Sequence, residues 1–219
     1  MNFEEIKILE TKTIFDSIKK LQDGIASFFN KSRLSHEENI KLLSNYGWYI
    51  SGEFKMKDIA LFCQLIKSEK IEEAEKLLIN FYRKNKSKLL KQIIKKHPER
   101  EPILNEALKA HSKKMFNSSI ILFLSQADGI TNAKIFRGPK VFKNNIDMND
   151  NHSIINLIRE ETALNADTRK EDKTNYFTNL NRHGVMHGLE VNYGTEVNSL
   201  RALSFLCFVT DFYNRYKKD

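Results

Sequence analysis

The sequence is poor in the residues that cross-link or interrupt a chain. Its 219 residues include two cysteines, three prolines and eight glycines. Cys63 and Cys207 lie far apart in apolar segments, which argues against a disulfide framework or a zinc site and favours a reducing compartment. Since helix breakers are few and apolar residues recur every three or four positions, the sequence predicts an all-α protein, a helical bundle with an N-terminal helical extension.

Long apolar runs are also lacking. The most apolar segments, 120–124 and 203–209, are bounded or broken by serine, and they fall short of the about 20 residues that a membrane span needs. The first five residues, Met1-Asn2-Phe3-Glu4-Glu5, do not begin the basic and apolar progression of a secretory signal. We therefore expect a cytoplasmic protein with no membrane partner.

Positive charge is abundant and concentrated. The net charge is +8, and residues 83–114 alone hold eleven lysines and arginines against three glutamates. Such a window favours a nucleic-acid partner through phosphate neutralisation, with Lys91 and Lys95 among its candidate contacts. A solvated helix face is the alternative.

Apolar spacing predicts a series of helices, over about 14–28, 40–50, 56–66 and 71–82, the last running into a basic turn at 89–94. His97-Pro98 then interrupts the pattern, so we divide the chain into an N-terminal helical region, 1–98, and a C-terminal bundle, 99–219. No residue between Pro102 and Asp128 breaks a helix. The sequence predicts one helix there, roughly 40 Å long, closed by Gly129 in a left-handed conformation.

Residues 129–151 are rich in Gly, Pro, Asn and Asp, which predicts a loop or a small hairpin around Gly138-Pro139. Cations and rings alternate in it: Lys134, Arg137, Lys140 and Lys143 stand beside Phe136 and Phe142. Cations with neighbouring rings can bind the backbone and stack the bases of single-stranded RNA. The phenylalanines can equally pin the loop to the body of the protein.

The segment Asn181-Arg182-His183-Gly184-Val185-Met186-His187-Gly188 carries the densest chemistry. An arginine binds phosphate through a planar set of donors, and an imidazole transfers protons near neutral pH. Together these residue types suit the cleavage of a phosphodiester.

A capping box at 168–171 predicts a helix whose buried stripe is Tyr176, Leu180, His183 and His187. The two histidines, four residues apart, then share a face. Arg182 lies about 140° from His187 around a regular helix, so the two meet easily only if a glycine loosens the helix or a second copy completes the site. A last helix, opening at Thr195 and apolar nearly all round, predicts a central position or a subunit interface.

The segment resembles the signature of the HEPN family (higher eukaryotes and prokaryotes nucleotide-binding), in which Arg, a polar residue, three variable residues and His follow one another. Arg182, His183 and His187 fill the defined places. The flanking runs 180–188 and 192–196, and the upstream run 110–130, are similar to a bacterial subgroup of the family. The resemblance covers residues 100–219.

The resemblance implies an α-helical bundle that forms a symmetric homodimer and cleaves RNA without a metal or other cofactor. In that reaction the ribose 2′-hydroxyl attacks its own phosphate. His187 is then the general base or acid, Arg182 stabilises the phosphorane, and His183 is a second proton donor or orients the substrate. Asn181 could supply an amide hydrogen bond, and Asp128 could orient a site histidine. A place in antiviral defence, abortive infection or a toxin–antitoxin pair, with an antitoxin or other regulatory protein as partner, is implied by the resemblance alone.

Other interpretations stay open. The histidines could be core residues, or a His-x3-His metal pair with Glu190 nearby, although spacing fixes no third ligand. The remaining histidines, His36, His97, His111 and His152, are predicted to be surface or capping residues. The chain could also be a catalytically silent module that binds RNA or nucleotide or serves as a dimerisation adaptor, or a helical protein-interaction domain.

Overall fold

A computed structural model of the chain describes residues 38–131, 162–164, 178 and 180–216. Within these ranges the regular structure is helical and contains no strand, which confirms the all-α prediction there. The predicted helix over 14–28, the capping box at 168–171 and the loop cations Lys134, Arg137, Lys140 and Lys143 lie outside the described residues. The chain divides after Glu38, and the other described residues belong to one compact unit, Asn39–Asp219.

The described part of the unit is built from helices. They are α1 (Met56–Lys67), α2 (Ile71–Lys96), a 3-10 turn (Pro98–Arg100), α3 (Glu101–Ser112), α4 (Phe116–Ile130), α5 (Arg182–Met186) and α6 (Glu196–Tyr216). Residues 38–45 are also helical. No helix in these ranges is long and apolar enough to cross a membrane.

Helix α6 is the centre of the unit, as its apolar sequence predicts. Every residue from 198 to 210 is buried. The helix begins where expected, because the Thr195 hydroxyl accepts a hydrogen bond from the Asn198 N–H at 3.1 Å and so caps its first turn. Arg83 pairs with Glu196 and Lys96 with Asp211, so α2 runs parallel to α6 on one side.

An aromatic cluster joins the N-terminal segment to α2 and α6. The Trp48 and Tyr82 rings stack at 5.6 Å, and the Tyr82 hydroxyl donates to the Tyr49 carbonyl at 2.8 Å. The helix predicted over 40–50 is too long: it ends at residue 45, and Gly47 turns the chain with a φ of 78°. Residues 48–50 are buried nonetheless, because the turn points them back into the core.

The boundary predicted at residue 98 falls inside this unit. Tyr82 and Leu90 from α2 and Phe205 from α6 belong to one hydrophobic cluster. Residues on both sides of Pro98 therefore share a core.

The single helix predicted between Pro102 and Asp128 is wrong. The helix α3 ends at Ser112 and α4 begins at Phe116, with Lys114 between them at a φ of 61°. Gly129 is not the predicted left-handed cap either, because α4 continues to Ile130. The Arg100 guanidinium lies where a side chain at 129 would stand, so the glycine leaves room on α4 for this arginine of the 3-10 turn.

Candidate active site

The candidate motif forms a helix of only five residues, α5, and Asn181 caps it. The Asn181 backbone is extended, with φ −114° and ψ 117°, and its side-chain oxygen accepts a hydrogen bond from the Gly184 N–H at 2.8 Å. Its amide nitrogen donates to the Ala163 carbonyl at 3.4 Å. The amide predicted to contact substrate therefore holds the motif in place.

The long helix predicted through 180–187 is wrong at its centre. Residues 178, 180 and 181 are not helical. Instead the Arg182 N–H donates to the Leu164 carbonyl at 2.7 Å, which ties the start of α5 to a separate segment. The spacing of three and four residues continues past Asn181, although a new helix begins at this asparagine cap. The pattern therefore predicted one helix where the structure has a break.

Gly188 ends the motif sharply. It has a φ of 69°, and the Leu189 N–H donates to the Gly184 carbonyl at 2.8 Å. This is a left-handed helix end that glycine adopts without steric cost. His187 therefore sits at the last, exposed turn of α5.

The two motif histidines share a face, as their spacing predicts. Their ring centroids lie 4.5 Å apart. They do not, however, continue a buried stripe: His183 is half-buried and His187 is exposed. One imidazole is therefore open to a ligand, and its neighbour lies in ring contact with it.

Arg182 is held by α4. Its guanidinium pairs with the Asp128 carboxylate, and the two side chains are 18% and 14% exposed. Burial raises the pKa of Asp128, and the hydrogen bond and charge of Arg182 oppose that rise. Asp128 was predicted to orient a histidine, but the partner that the structure gives it is the motif arginine.

Exposed apolar side chains flank His187 in the sequence. Met186, Leu189 and Val191 are 36%, 65% and 70% exposed. We call these three residues the apolar rim. Clustered exposed apolar side chains commonly mark an interaction surface.

The basic window divides into paired and unpaired cations. Arg83, Lys88 and Lys96 have acidic partners on other segments. Lys84, Lys91 and Lys95 are exposed, and no ion pair to them is found in the part of the chain that the structure describes. At spacings of seven and four residues they lie on one face of α2, and we call them the lysine stripe.

His111 is a buried residue, contrary to the predicted surface or capping role. Its Nδ1 lies 2.8 Å from the Ser199 hydroxyl, which lies 2.7 Å from the Ser119 hydroxyl. All three residues are at most 6% exposed, so no substrate reaches them. The signal was present in the sequence, because Leu104, Ala107 and His111 form one helical stripe.

The thiols are also poor candidates for chemistry. Cys63 and Cys207 are both free and buried. Burial raises the pKa of Cys63 to about 11 and that of Cys207 further, so neither supplies a thiolate near neutral pH. Within the described residues no three His, Cys, Asp or Glu side chains converge as metal ligands.

Comparison of the chain with protein-family models, with curated proteins and with solved structures found no match.

Proposed function

We propose that this protein is a metal-independent endoribonuclease whose site is built from Arg182, His183 and His187. The observation that carries the proposal is the pair of imidazoles 4.5 Å apart, one exposed and one half-buried, on a short helix that begins with an arginine. Two adjacent imidazoles and a guanidinium are sufficient for phosphodiester cleavage without a metal.

The reaction needs one base, one acid and one cation. His187, the exposed imidazole, takes the proton of the ribose 2′-hydroxyl as its oxygen attacks the adjacent phosphorus. Arg182 stabilises the charge on the phosphorane through its N–H donors. The bond to the 5′-oxygen breaks, and this oxygen takes a proton from the protonated His183. The products are a 2′,3′-cyclic phosphate and a 5′-hydroxyl.

A homodimer completes the site in this proposal. Arg182 extends toward Asp128 on α4, whereas His187 is exposed at the far end of α5 beside the apolar rim. A two-fold axis through this surface would bring the arginine of one copy toward the histidine of the other. The rim would then be buried between subunits.

The remaining parts of the proposal rest on the resemblance to the HEPN family. They are a role in bacterial defence or in a toxin–antitoxin pair, and a regulatory protein that holds the nuclease in check; the cytoplasmic location proposed with them rests on the lack of a signal-like start and of long apolar runs. The lysine stripe, which includes Lys91 and Lys95, supports RNA as the partner.

One observation favours a second candidate, a catalytically silent module that binds RNA or nucleotide or acts as a dimerisation adaptor. Arg182 is already paired with Asp128 and mostly buried. If this pair keeps the guanidinium from phosphate, the protein binds RNA and leaves it intact.

Cleavage of single-stranded RNA in EDTA separates the two candidates. The endoribonuclease cuts under these conditions, and His187→Ala slows the reaction about 10²- to 10⁴-fold, the usual contribution of a general base. His97→Ala, which changes a histidine outside the motif, is the matched control and retains activity. RNA binding without product at any protein concentration would favour the silent module.

A further inference from the structure

Resting on the proposed function, we infer that Asp128 is the positioning residue of the site: its carboxylate on α4 fixes the Arg182 guanidinium for phosphate. The inference concerns a residue 54 positions before the arginine and on a different helix. It replaces the histidine partner that the sequence predicts for Asp128.

Asp128 is itself rigidly placed. Its neighbours Ala127 and Ile130 are buried in the core, and the Thr131 hydroxyl donates to the Asp128 carbonyl at 3.0 Å. The carboxylate therefore has a defined position relative to the bundle. A guanidinium bound to it takes the same fixed position, which is what a catalytic cation requires.

Arg182 is fixed at both ends. Its backbone N–H is bound to the Leu164 carbonyl, and its guanidinium is bound to Asp128. The carboxyl end of α4 also favours cations through the helix dipole, and Arg100 binds there too, donating to Gln126 at 2.9 Å. The arginine is thus held by charge as well as by hydrogen bonds.

A second arginine–carboxylate pair in the protein shows what a purely structural pair looks like. Arg201 pairs with Glu75, is 8% exposed, and also donates to Thr178 and Asn198. Its guanidinium lies over the Trp48 ring, and the side chain is buried although Glu75 is 33% exposed. Arg182 is more than twice as exposed as Arg201, at 18%, so its side chain is not sealed from the surface that carries the motif.

The Asp128 carboxylate is not fully hydrogen-bonded, as a group with only a stabilising role would be. One of its oxygens, Oδ1, is buried and makes no hydrogen bond among the described residues. A buried acceptor without a partner is unfavourable. Because the fold keeps Asp128 here despite its unpaired oxygen, this position is consistent with a function for the Asp128–Arg182 pair.

The test is a double-mutant cycle of Asp128→Asn and Arg182→Lys, with Glu75→Gln as the control for loss of a structural ion pair. The readouts are kcat and KM for RNA cleavage, and the affinity for a 2′-O-methyl RNA that cannot be cut. All variants are compared at a temperature at which circular dichroism shows them folded.

Asp128→Asn is expected to lower kcat about 10- to 100-fold, as loss of a supporting contact does in other sites, with a much smaller change in KM. In the Arg182→Lys background, Asp128→Asn should lower the rate little further. Asp128→Glu, which keeps the carboxylate, should be faster than Asp128→Asn. Glu75→Gln should lower the unfolding temperature without this split between kcat and KM.

Three results overturn the inference. The first is a wild-type cleavage rate for Asp128→Asn, and the second is a double mutant in which the free-energy losses of the two single mutants add. The third is faster cleavage by Asp128→Asn, which would show that Asp128 restrains Arg182. If the wild-type protein does not cut RNA, the proposed function fails, and the inference is decided by the affinity cycle alone. Independent effects of the two changes on affinity, or the absence of any binding, then overturn it.

Discussion

Two histidines of the protein lie in opposite surroundings. His111 is sealed among α3, α4 and α6 and bound to Ser199, whereas His187 is exposed at the end of α5. Burial, reinforced by Lys86 and Arg83, lowers the pKa of His111 from its ordinary value near 6.5, against a smaller opposing effect of Glu196. An imidazole held neutral in the core is a structural group.

The pH dependence of stability follows from the lowered pKa. Because the folded protein binds a proton at His111 less readily than the unfolded chain does, this contribution to stability is complete above about pH 6.5 and is lost as the pH falls through the lower, folded value. We expect the free energy of unfolding to decrease from pH 7 toward pH 5. Urea denaturation across this range measures it.

His111→Gln should remove this part of the pH dependence and should cost about 1–3 kcal/mol at pH 7, the usual penalty for disturbing a buried hydrogen bond. His97→Gln is the control at a half-buried position. The same pH slope in wild type and His111→Gln would contradict the assignment.

Much at the residue scale could be predicted from the sequence. The residue types of the motif are read directly from the sequence, and the shared face of His183 and His187 follows from their spacing. The contact between their rings confirms the shared face. The partner of Asp128 could not be predicted, because it depends on how α5 meets α4 in three dimensions. The capping role of Asn181 was hidden by an apolar period that continued past it.

Four helix ends in the described part of the chain share one backbone arrangement. A residue with positive φ follows the helix, and the next N–H donates to a carbonyl five residues earlier. The four positive-φ residues are Gly47, Glu69, Lys114 and Gly188. Glycine is the usual residue at such an end, so the ends at Glu69 and Lys114 carry no glycine or proline to mark them.

The end at Lys114 explains the helix that was predicted too long. The Met115 N–H donates to the Ala110 carbonyl at 2.9 Å and the Lys114 N–H to the His111 carbonyl at 3.0 Å. Helix propensity in this segment favours continuation, but packing of α4 back onto α3 outweighs it. Tertiary contacts of this kind are not visible in a local pattern.

Lys114→Gly should therefore stabilise the protein by about 0.5–1 kcal/mol. The left-handed conformation is unfavourable for a residue with a β-carbon, and glycine removes this strain. The greater conformational entropy of glycine in the unfolded chain offsets part of the stabilisation. Chemical denaturation measures the difference. Lys113→Gly, at a φ of −86°, is the matched control and should not stabilise. Equal effects of the two changes would show that the break is not strained.

The lysine stripe gives α2 a prediction of its own. Like charges four residues apart destabilise a helix slightly, so three cations on one face without acidic partners suggest a ligand that neutralises them. Changing Lys84, Lys91 and Lys95 together to Gln should make the plot of log affinity for single-stranded RNA against log salt shallower by about 2, at about 0.7 per phosphate contact.

A charge-matched control distinguishes this surface from net charge. Lys57, Lys67 and Lys70 are exposed elsewhere, and their triple change to Gln should leave the salt slope nearly unaltered. If both triple variants change the slope equally, the stripe is only a solvated face.

At the scale of the whole molecule, we propose that one chain holds only half of the active site. The exposed histidine, the arginine held by α4 and the apolar rim all occur within residues 182–191. The sequence predicts this half-site and the central helix behind it. A partner surface cannot be read from periodicity, because exposed apolar residues outside a helix leave no regular pattern.

Leu189→Asp with Val191→Asp should convert a dimer to a monomer in light scattering and abolish cleavage, since charges would be buried between subunits. Leu77→Asp, at a 42% exposed position on α2, should leave the dimer intact. A wild-type protein that is monomeric at micromolar concentration would contradict the shared site.

The most direct test of the proposed chemistry is cleavage, in EDTA, of two RNAs that differ only in a 2′-deoxy sugar at the cut site. The proposed mechanism predicts that the all-ribose RNA gives a 2′,3′-cyclic phosphate and a 5′-hydroxyl, that the deoxy-substituted RNA stays intact there, and that His187→Ala cuts about 10²- to 10⁴-fold more slowly. Equal cleavage of the two substrates, or unchanged cleavage by His187→Ala, would contradict it.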